Sequence, residues 1–239
     1  MFQLKLTFEL ENPFLPKETD RLMVSYMKAA VSESQEFYES LYDKKKSILK
    51  GFCFSYSLPQ AMFRDDKIYL AQNSFALYFS DENLAETIRF LKAFQKMQGK
   101  KYPMNGNSMT LVKIQMLTLQ KIKDSRIIIR MQSPLLVRKH NSTDNSDVYY
   151  TWEQEAFSQV LKENVELFLQ RRGIALSTEG FSVRVIKGKK VVVPVFGRNT
   201  DANLGFYELT GSPELLNVLY LAGLGVRRSE GHGKWELIG

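Results

Sequence analysis

The sequence is poor in the residues that build covalent or metal-held scaffolds. Its 239 residues contain one cysteine, Cys53, which excludes an intrachain disulfide and a cysteine-built zinc site and reads as a buried structural thiol. Histidine occurs twice, at His140 and His232. There is no His-x-x-x-His pair, no cluster of Asp and Glu, and no Walker-type phosphate loop. Metal-dependent cleavage and nucleotide hydrolysis therefore lack their usual residues, and no cofactor is expected. No apolar run approaches the roughly 20 residues of a membrane-spanning helix. The N-terminus alternates charged with apolar residues where a secretory signal needs an unbroken apolar core. These absences point to a cytoplasmic protein with no membrane partner.

What is present describes a folded chain with a basic bias. Hydrophobic residues make up 44% and charged residues 25%, the balance of a globular protein, and the length allows one large or two small domains. Lysine and arginine number 33 against 26 acidic residues, a net charge of +7. That excess favours polyanions such as RNA without assigning one.

The hydrophobic pattern divides the chain into two similar halves. Phe2, Leu4, Leu6, Phe8 and Leu10 alternate with polar residues as in a half-buried strand. A helix is expected over 20–42, then strands over 51–58 and 68–79. A second helix, N-capped by Ser80 and Asp81, carries Leu84, Ile88 and Leu91 at helical spacing, and a strand over 111–119 closes the half. The order repeats with a strand over 126–131, a loop, and a helix opened by a Thr151–Gln154 capping box. That helix presents Phe157, Val160, Leu161, Val165, Phe168 and Leu169 on one face, broken by Asn164. A hairpin around Gly188 joins strands 183–186 and 191–196, and 204–209 prolongs the sheet. Ser212 caps and Pro213 starts a last helix, and 235–238 forms the last strand. Two tandem ferredoxin-like βαββαβ domains of an α+β protein are expected, 1–122 and 123–239. The sequence between them lacks a run rich in Pro, Gly or Ser.

The most specific local signal lies near the C-terminus. Gly223-Leu224-Gly225 and Gly231-His232-Gly233 bracket Val226-Arg227-Arg228-Ser229-Glu230, and Lys234 follows. Glycine at four fixed positions admits unusual backbone conformations and close approach of a ligand, so the loop could present bare N–H donors to phosphate oxygens, with Arg227, Arg228 and Lys234 neutralising charge. A single Gly-x-Gly pair is often only a helix-ending turn. The doubled pattern around Arg-Arg resembles the glycine-rich loop of the repeat-associated RNA-binding (RAMP) proteins of CRISPR systems, in particular the endoribonucleases that cut the repeat transcript. Leu209-Thr210-Gly211-Ser212-Pro213-Glu214-Leu215-Leu216 and Ser133-Pro134-Leu135-Leu136-Val137-Arg138 extend the resemblance. It implies binding of CRISPR repeat RNA through Arg138, Lys139, Gly223, Gly225, Arg227, Arg228, Ser229, Gly231, His232, Gly233 and Lys234. It also implies hand-over to a CRISPR effector complex, by a monomer or a homodimer.

Metal-free RNA cleavage needs a base for the 2′-hydroxyl, an acid for the leaving 5′-oxygen, and positive charge or donors for the phosphorane. The resembled endonucleases usually carry a histidine toward the end of the first helix, where this chain has Tyr26, Tyr38, Tyr42 and the lysines Lys44, Lys45, Lys46 and Lys50. Three readings stand. His140 reaches the RNA from the loop after strand 126–131; Tyr26 or Tyr42 acts with a lysine such as Lys46; or the protein binds RNA without cutting it. His232 either donates to a phosphate or fills a slot under the loop. Lys44 to Lys46 is either a solvated turn or an RNA contact. Phe52 and Phe54 faintly echo an RNA-stacking strand but read as core.

Overall fold

The computed structural model describes residues 1–43, 45–195 and 197–238. The chain folds as two compact units, Met1–Ile48 with Phe54–Leu119, and Leu49–Cys53 with Gln120–Gly239. The elements of the first half are β1 (Phe2–Leu10), β2 (Phe14–Pro16), α1 (Thr19–Val31), α2 (Gln35–Tyr42), β3 (Phe52–Ser57), β4 (Met62–Arg64), β5 (Lys67–Tyr69), β6 (Ser74–Asp81), α3 (Leu84–Met97), β7 (Lys101–Met104) and β8 (Asn107–Thr118). The main sheet runs β3-β6-β1-β8-β7, with β1 central and antiparallel to β6 and β8. This is the ferredoxin-like order with one added edge strand. The alternation in β1 places Leu4, Leu6, Phe8 and Leu10 in the core, and Tyr26, Phe90 and Phe94 are buried with them.

Three expectations for this half change. The helix over 20–42 is two helices: the Ser32 hydroxyl turns back onto the Ala29 carbonyl (2.8 Å) and Ser34 accepts from the Phe37 N–H. Short hydroxyl side chains compete with the backbone for its own hydrogen bonds and so end one helix and cap the next. The strand over 68–79 is also split, because β5 leaves the main sheet to join β2 and β4 in a separate three-stranded sheet. The cap of α3 is Asn83, whose Oδ1 accepts from the Ala85 and Glu86 N–H groups, while Asp81 accepts from the Asn83 N–H. The buried face of α3 is then Thr87, Phe90, Ala93 and Phe94, and Leu84 and Ile88 lie exposed.

The second half contains β9 (Arg126–Met131), β10 (Val137–Asn141), β11 (Ser146–Tyr150), α4 (Phe157–Arg172), β12 (Ser182–Val195), β13 (Arg198–Thr210), α5 (Pro213–Ala222), a 3-10 turn (Arg228–Glu230) and β14 (Trp235–Leu237). Its sheet, β12-β13-β9-β14, is again the ferredoxin-like order. The tandem ferredoxin-like architecture is thus present, as is the capped start of α5, where Ser212 Oγ accepts from the Leu215 N–H and Pro213 opens the helix.

The expected turn at Gly188 is absent. Residues 182–195 form one long strand, and Gly188 pairs with Gly205 across it. A Cβ on Gly188 would lie 2.2 Å from the Trp152 ring, so this glycine makes room for an indole. Phe196, the expected end of that hairpin, lies outside the described residues. The segment expected as a loop before α4 contains the hairpin β10–β11. Its base is fastened by Asn203, which is fully buried. Asn203 Nδ2 donates to the Leu135 and Tyr150 carbonyls, and its Oδ1 accepts from the Trp152 N–H.

Candidate nucleic-acid interface

The glycine-rich loop starts where α5 must stop. Gly223 N–H closes the helix onto Leu219 O (2.8 Å), and Gly223, Gly225, Gly231 and Gly233 all have left-handed φ, between 70° and 91°, the region glycine enters without a Cβ penalty. Space is a second requirement. A Cβ on Gly225 would stand 2.2 Å from Leu136 O, and one on Gly233 would stand 1.9 Å from Leu224 O. The loop's N–H groups are used accordingly: Leu224 donates to Gly233 O, Val226 to Leu136 O, Gly231 to Arg228 O and Gly233 to Pro134 O. Lys234 N–H donates to Ser133 Oγ. These donors serve the protein, not a ligand, and Ser133-Pro134-Leu135-Leu136 is the strip on which the loop is laid.

The expected cations of the loop fall into two groups. Lys234 is 1% exposed and Arg228 4% exposed; burial pushes the Lys234 pKa down, and the Arg228 guanidinium lies 3.8 Å over the Phe168 ring. Both lie inside the loop, where they leave little surface for a phosphate. Arg227 reaches the surface. It is held at φ 55°, with Nε donating to Tyr149 Oη (3.1 Å) and a terminal nitrogen 3.0 Å from Glu230. Ser229 is partly exposed beside it, whereas Gly231 and His232 are buried. Neither His232 ring nitrogen has a hydrogen-bond partner of normal geometry among the described residues. Burial, and then the nearby charge of Arg227, push its pKa down to about 4, against a weak opposing pull from the Pro134 carbonyl. His232 is thus buried, and its burial favours the neutral ring.

The other basic residues stand on the hairpin. Arg138 is half-buried, and Lys139 and His140 are exposed on β10. Asn164, the break in the apolar face of α4, anchors this strand: its Oδ1 accepts from the Arg138 N–H (3.1 Å) and its Nδ2 donates to the Arg138 carbonyl (2.7 Å). His140 and Asp147 are register partners, with Nδ1 2.8 Å from Asp147 Oδ1, while the other carboxylate oxygen takes Arg138 at 2.9 Å. Burial raises the Asp147 pKa, but the hydrogen bond from His140 and the charge of Arg138 together bring it below the usual carboxylate value. With Asp147 ionised, Nδ1 is the donor and Nε2 is the nitrogen that can exchange a proton. Asp147 and Tyr149 carry no signal that singles them out in the sequence, and Asn164 stands out there only as a break in the apolar face of α4. The signal for the hairpin was there, in two alternating stretches separated by the turn-forming Asn141-Ser142-Thr143-Asp144-Asn145.

The first-helix candidates are placed differently. Tyr26 is 1% exposed, wedged edge-on between Phe8 and Tyr102 with ring centroids 5.2 Å away in each case, and its hydroxyl has no partner among the described residues. Tyr42 ends α2 with the Lys28 ammonium 5.3 Å from its ring. Burial pushes both phenols to pKa values well above the ordinary one, opposite to the lowering that a tyrosine base requires. Lys46 is exposed, 3.8 Å from Asp43, and Lys44 lies outside the described residues. Cys53 is buried, as are Phe52 and Phe54. No three His, Cys, Asp or Glu side chains gather among the described residues.

Comparison with known proteins decides the family. The sequence profile described as CRISPR associated protein Cas6, C-terminal, matches residues 117–237, just over half of the chain. The chain belongs to the Cas6 family. Solved structures agree on the fold across both ferredoxin-like halves of this Cas6 protein. A structure described as an RAMP protein binding different RNA substrates is 19% identical with a TM-score of 0.85, covering 100% of both chains. A Cas6-related protein from Pyrococcus furiosus is 18% identical with a TM-score of 0.85, covering 99% of this chain and 98% of that one. A Cas6 product complex is 14% identical with a TM-score of 0.74, covering 99% of each chain. No curated protein matches by sequence. The chain is thus a CRISPR-associated protein of the Cas6 family, and the glycine-rich loop lies within the matched segment.

Proposed function

We propose that this Cas6 protein binds CRISPR repeat RNA on its second unit and cleaves it without a metal ion, a 2′-hydroxyl attacking the adjacent phosphate to release guide RNA. The observation that carries the chemistry is the His140–Asp147 pair, an exposed imidazole held at 2.8 Å by a carboxylate on a strand that also bears Arg138 and Lys139. Asp147 orients the ring. Nε2 then takes the proton from the 2′-hydroxyl or gives one to the 5′-oxygen, and the neighbouring cations offset phosphorane charge. The similar folds support the substrate class, since one is described as binding different RNA substrates and another as a Cas6 product complex.

The burial of Tyr26 favours a second reading, in which the protein holds repeat RNA without cutting it, because the first helix then offers no accessible base. Incubation with repeat RNA in EDTA separates the two. Cleavage that stops when the nucleotide before the scissile phosphate is 2′-deoxy supports the nuclease. Binding without any cleavage supports the second reading, and cutting of the deoxy substrate only with magnesium refutes the mechanism.

A further inference from the structure

A groove of about 650 Å³ opens on the second unit, lined among others by Asp147 and Tyr149 of β11, Val195 of β12, Arg198 and Asn199 of β13, and Arg227. Its volume is in the range of small-ligand sites. The floor is fixed: Tyr149 packs on the buried cluster of Leu136, Val195 and Ala202, and its hydroxyl receives Arg227. The acidic residues of the wall are already matched by cations, Asp147 by Arg138 (2.9 Å) and Asp201 by Lys190 (2.7 Å). Arg198 is exposed and forms no ion pair among the described residues. An aromatic residue, two arginines and an asparagine, Tyr149, Arg198, Arg227 and Asn199, thus line one space.

This chemistry matches a nucleotide. A base lies against a tyrosine ring, a phosphate takes guanidinium donors, and an amide can read a base edge in both directions. The geometry points to a nucleotide subsite in which one unpaired residue of the bound RNA places its base on Tyr149 and its phosphate on Arg198 and Arg227. Pairing would hold the base within a helical stack and away from the floor, so the subsite selects a single-stranded position. The inference rests on the reading that the protein binds repeat RNA, and it is independent of whether that RNA is cut.

The test uses the full chain and repeat RNA carrying 5-bromouridine at successive single-stranded positions. Fluorescence anisotropy over a salt series is compared for the unchanged protein and Arg198→Ala, an exposed substitution that leaves the core intact. Arg198→Ala is expected to weaken binding by about fivefold to tenfold and to reduce the slope of log affinity against log salt by about one, as for loss of one phosphate contact. Irradiation is expected to cross-link one RNA position to the peptide containing Tyr149, and Asn199→Ala to change which base is preferred there. Unchanged affinity and slope for Arg198→Ala, with no cross-link to Tyr149, overturn the subsite while RNA binding stands. Failure of the unchanged protein to bind any repeat RNA overturns the functional reading itself.

Discussion

Gly233→Ala distinguishes a loop built for its own packing from one built to admit a ligand. The new Cβ would sit 1.9 Å from Leu224 O at a residue with φ 73°, so both the backbone conformation and the space are wrong. The left-handed conformation alone costs about 1–2 kcal/mol for a residue with a Cβ. Moving Leu224 to relieve the clash breaks the bonds from Leu224 N–H to Gly233 O and from Gly233 N–H to Pro134 O, each contributing about 1 kcal/mol. The sum is about 3–4 kcal/mol. Gly180 supplies the control, because its φ is 70° and nothing stands within 4 Å of the added carbon; Gly180→Ala should lose only the conformational part, about 1–2 kcal/mol. Urea unfolding of the two variants measures the difference directly. If Gly233→Ala is no less stable than Gly180→Ala yet loses RNA affinity, the glycines serve the ligand and the packing argument is wrong.

Other outcomes follow from the same geometry. His140→Ala should lower the single-turnover cleavage rate by roughly 10²–10⁴-fold with affinity nearly constant; a change under about threefold in a stopped reaction series removes His140 from the chemistry. Tyr26→Phe deletes a buried, unpartnered hydroxyl and should leave cleavage unchanged with stability equal or slightly higher, so a large rate loss returns the first helix to the active site. Arg227→Ala should weaken RNA binding and flatten its salt dependence, whereas Lys234→Ala should show its effect in thermal unfolding. Equal changes in salt slope for the two would contradict the burial of Lys234. His232, neutral in the fold with a pKa of about 4 against about 6.5 when unfolded, binds more protons in the unfolded chain between those values. Its stabilisation is complete above pH 6.5 and is lost as pH falls to about 4, on the order of 3 kcal/mol. His232→Phe should remove that acid-side slope from a stability profile, and an unaltered slope would assign it to other groups.

The architecture was legible because it rests on local periodicity. The alternation of β1, the apolar face of α4 and the Ser212-Pro213 start of α5 each state their own role within a few residues. Positions that misled are those whose cause lies far along the chain. Gly188 looks like a turn until Trp152, 36 positions earlier, is seen to occupy its face. Asn164 reads only as a flaw in a stripe until Arg138 supplies its partner. At the candidate site, the spacing of the four glycines was readable. That their neighbours are Leu136 O and Leu224 O was not, since no local pattern encodes a contact between a loop and a distant strip of backbone. Lys234 shows the same limit, for nothing in Gly-Lys-Trp says that the lysine points inward.

The anchoring by Asn203 has a consequence for how this surface can vary. One amide fixes the carbonyls of Leu135 and Tyr150 and the N–H of Trp152, so the foot of the β10–β11 hairpin can loosen only if the centre of β13 loosens with it. The outer turn, residues 142–145, is exposed and takes no part in that clamp. Root and tip are thereby mechanically separate, and the tip can be lengthened, shortened or rewritten in polarity without altering the spacing of Arg138, His140 and Asp147. Such a clamped arm is a place where the outer surface can change while the bearing beneath it stays untouched.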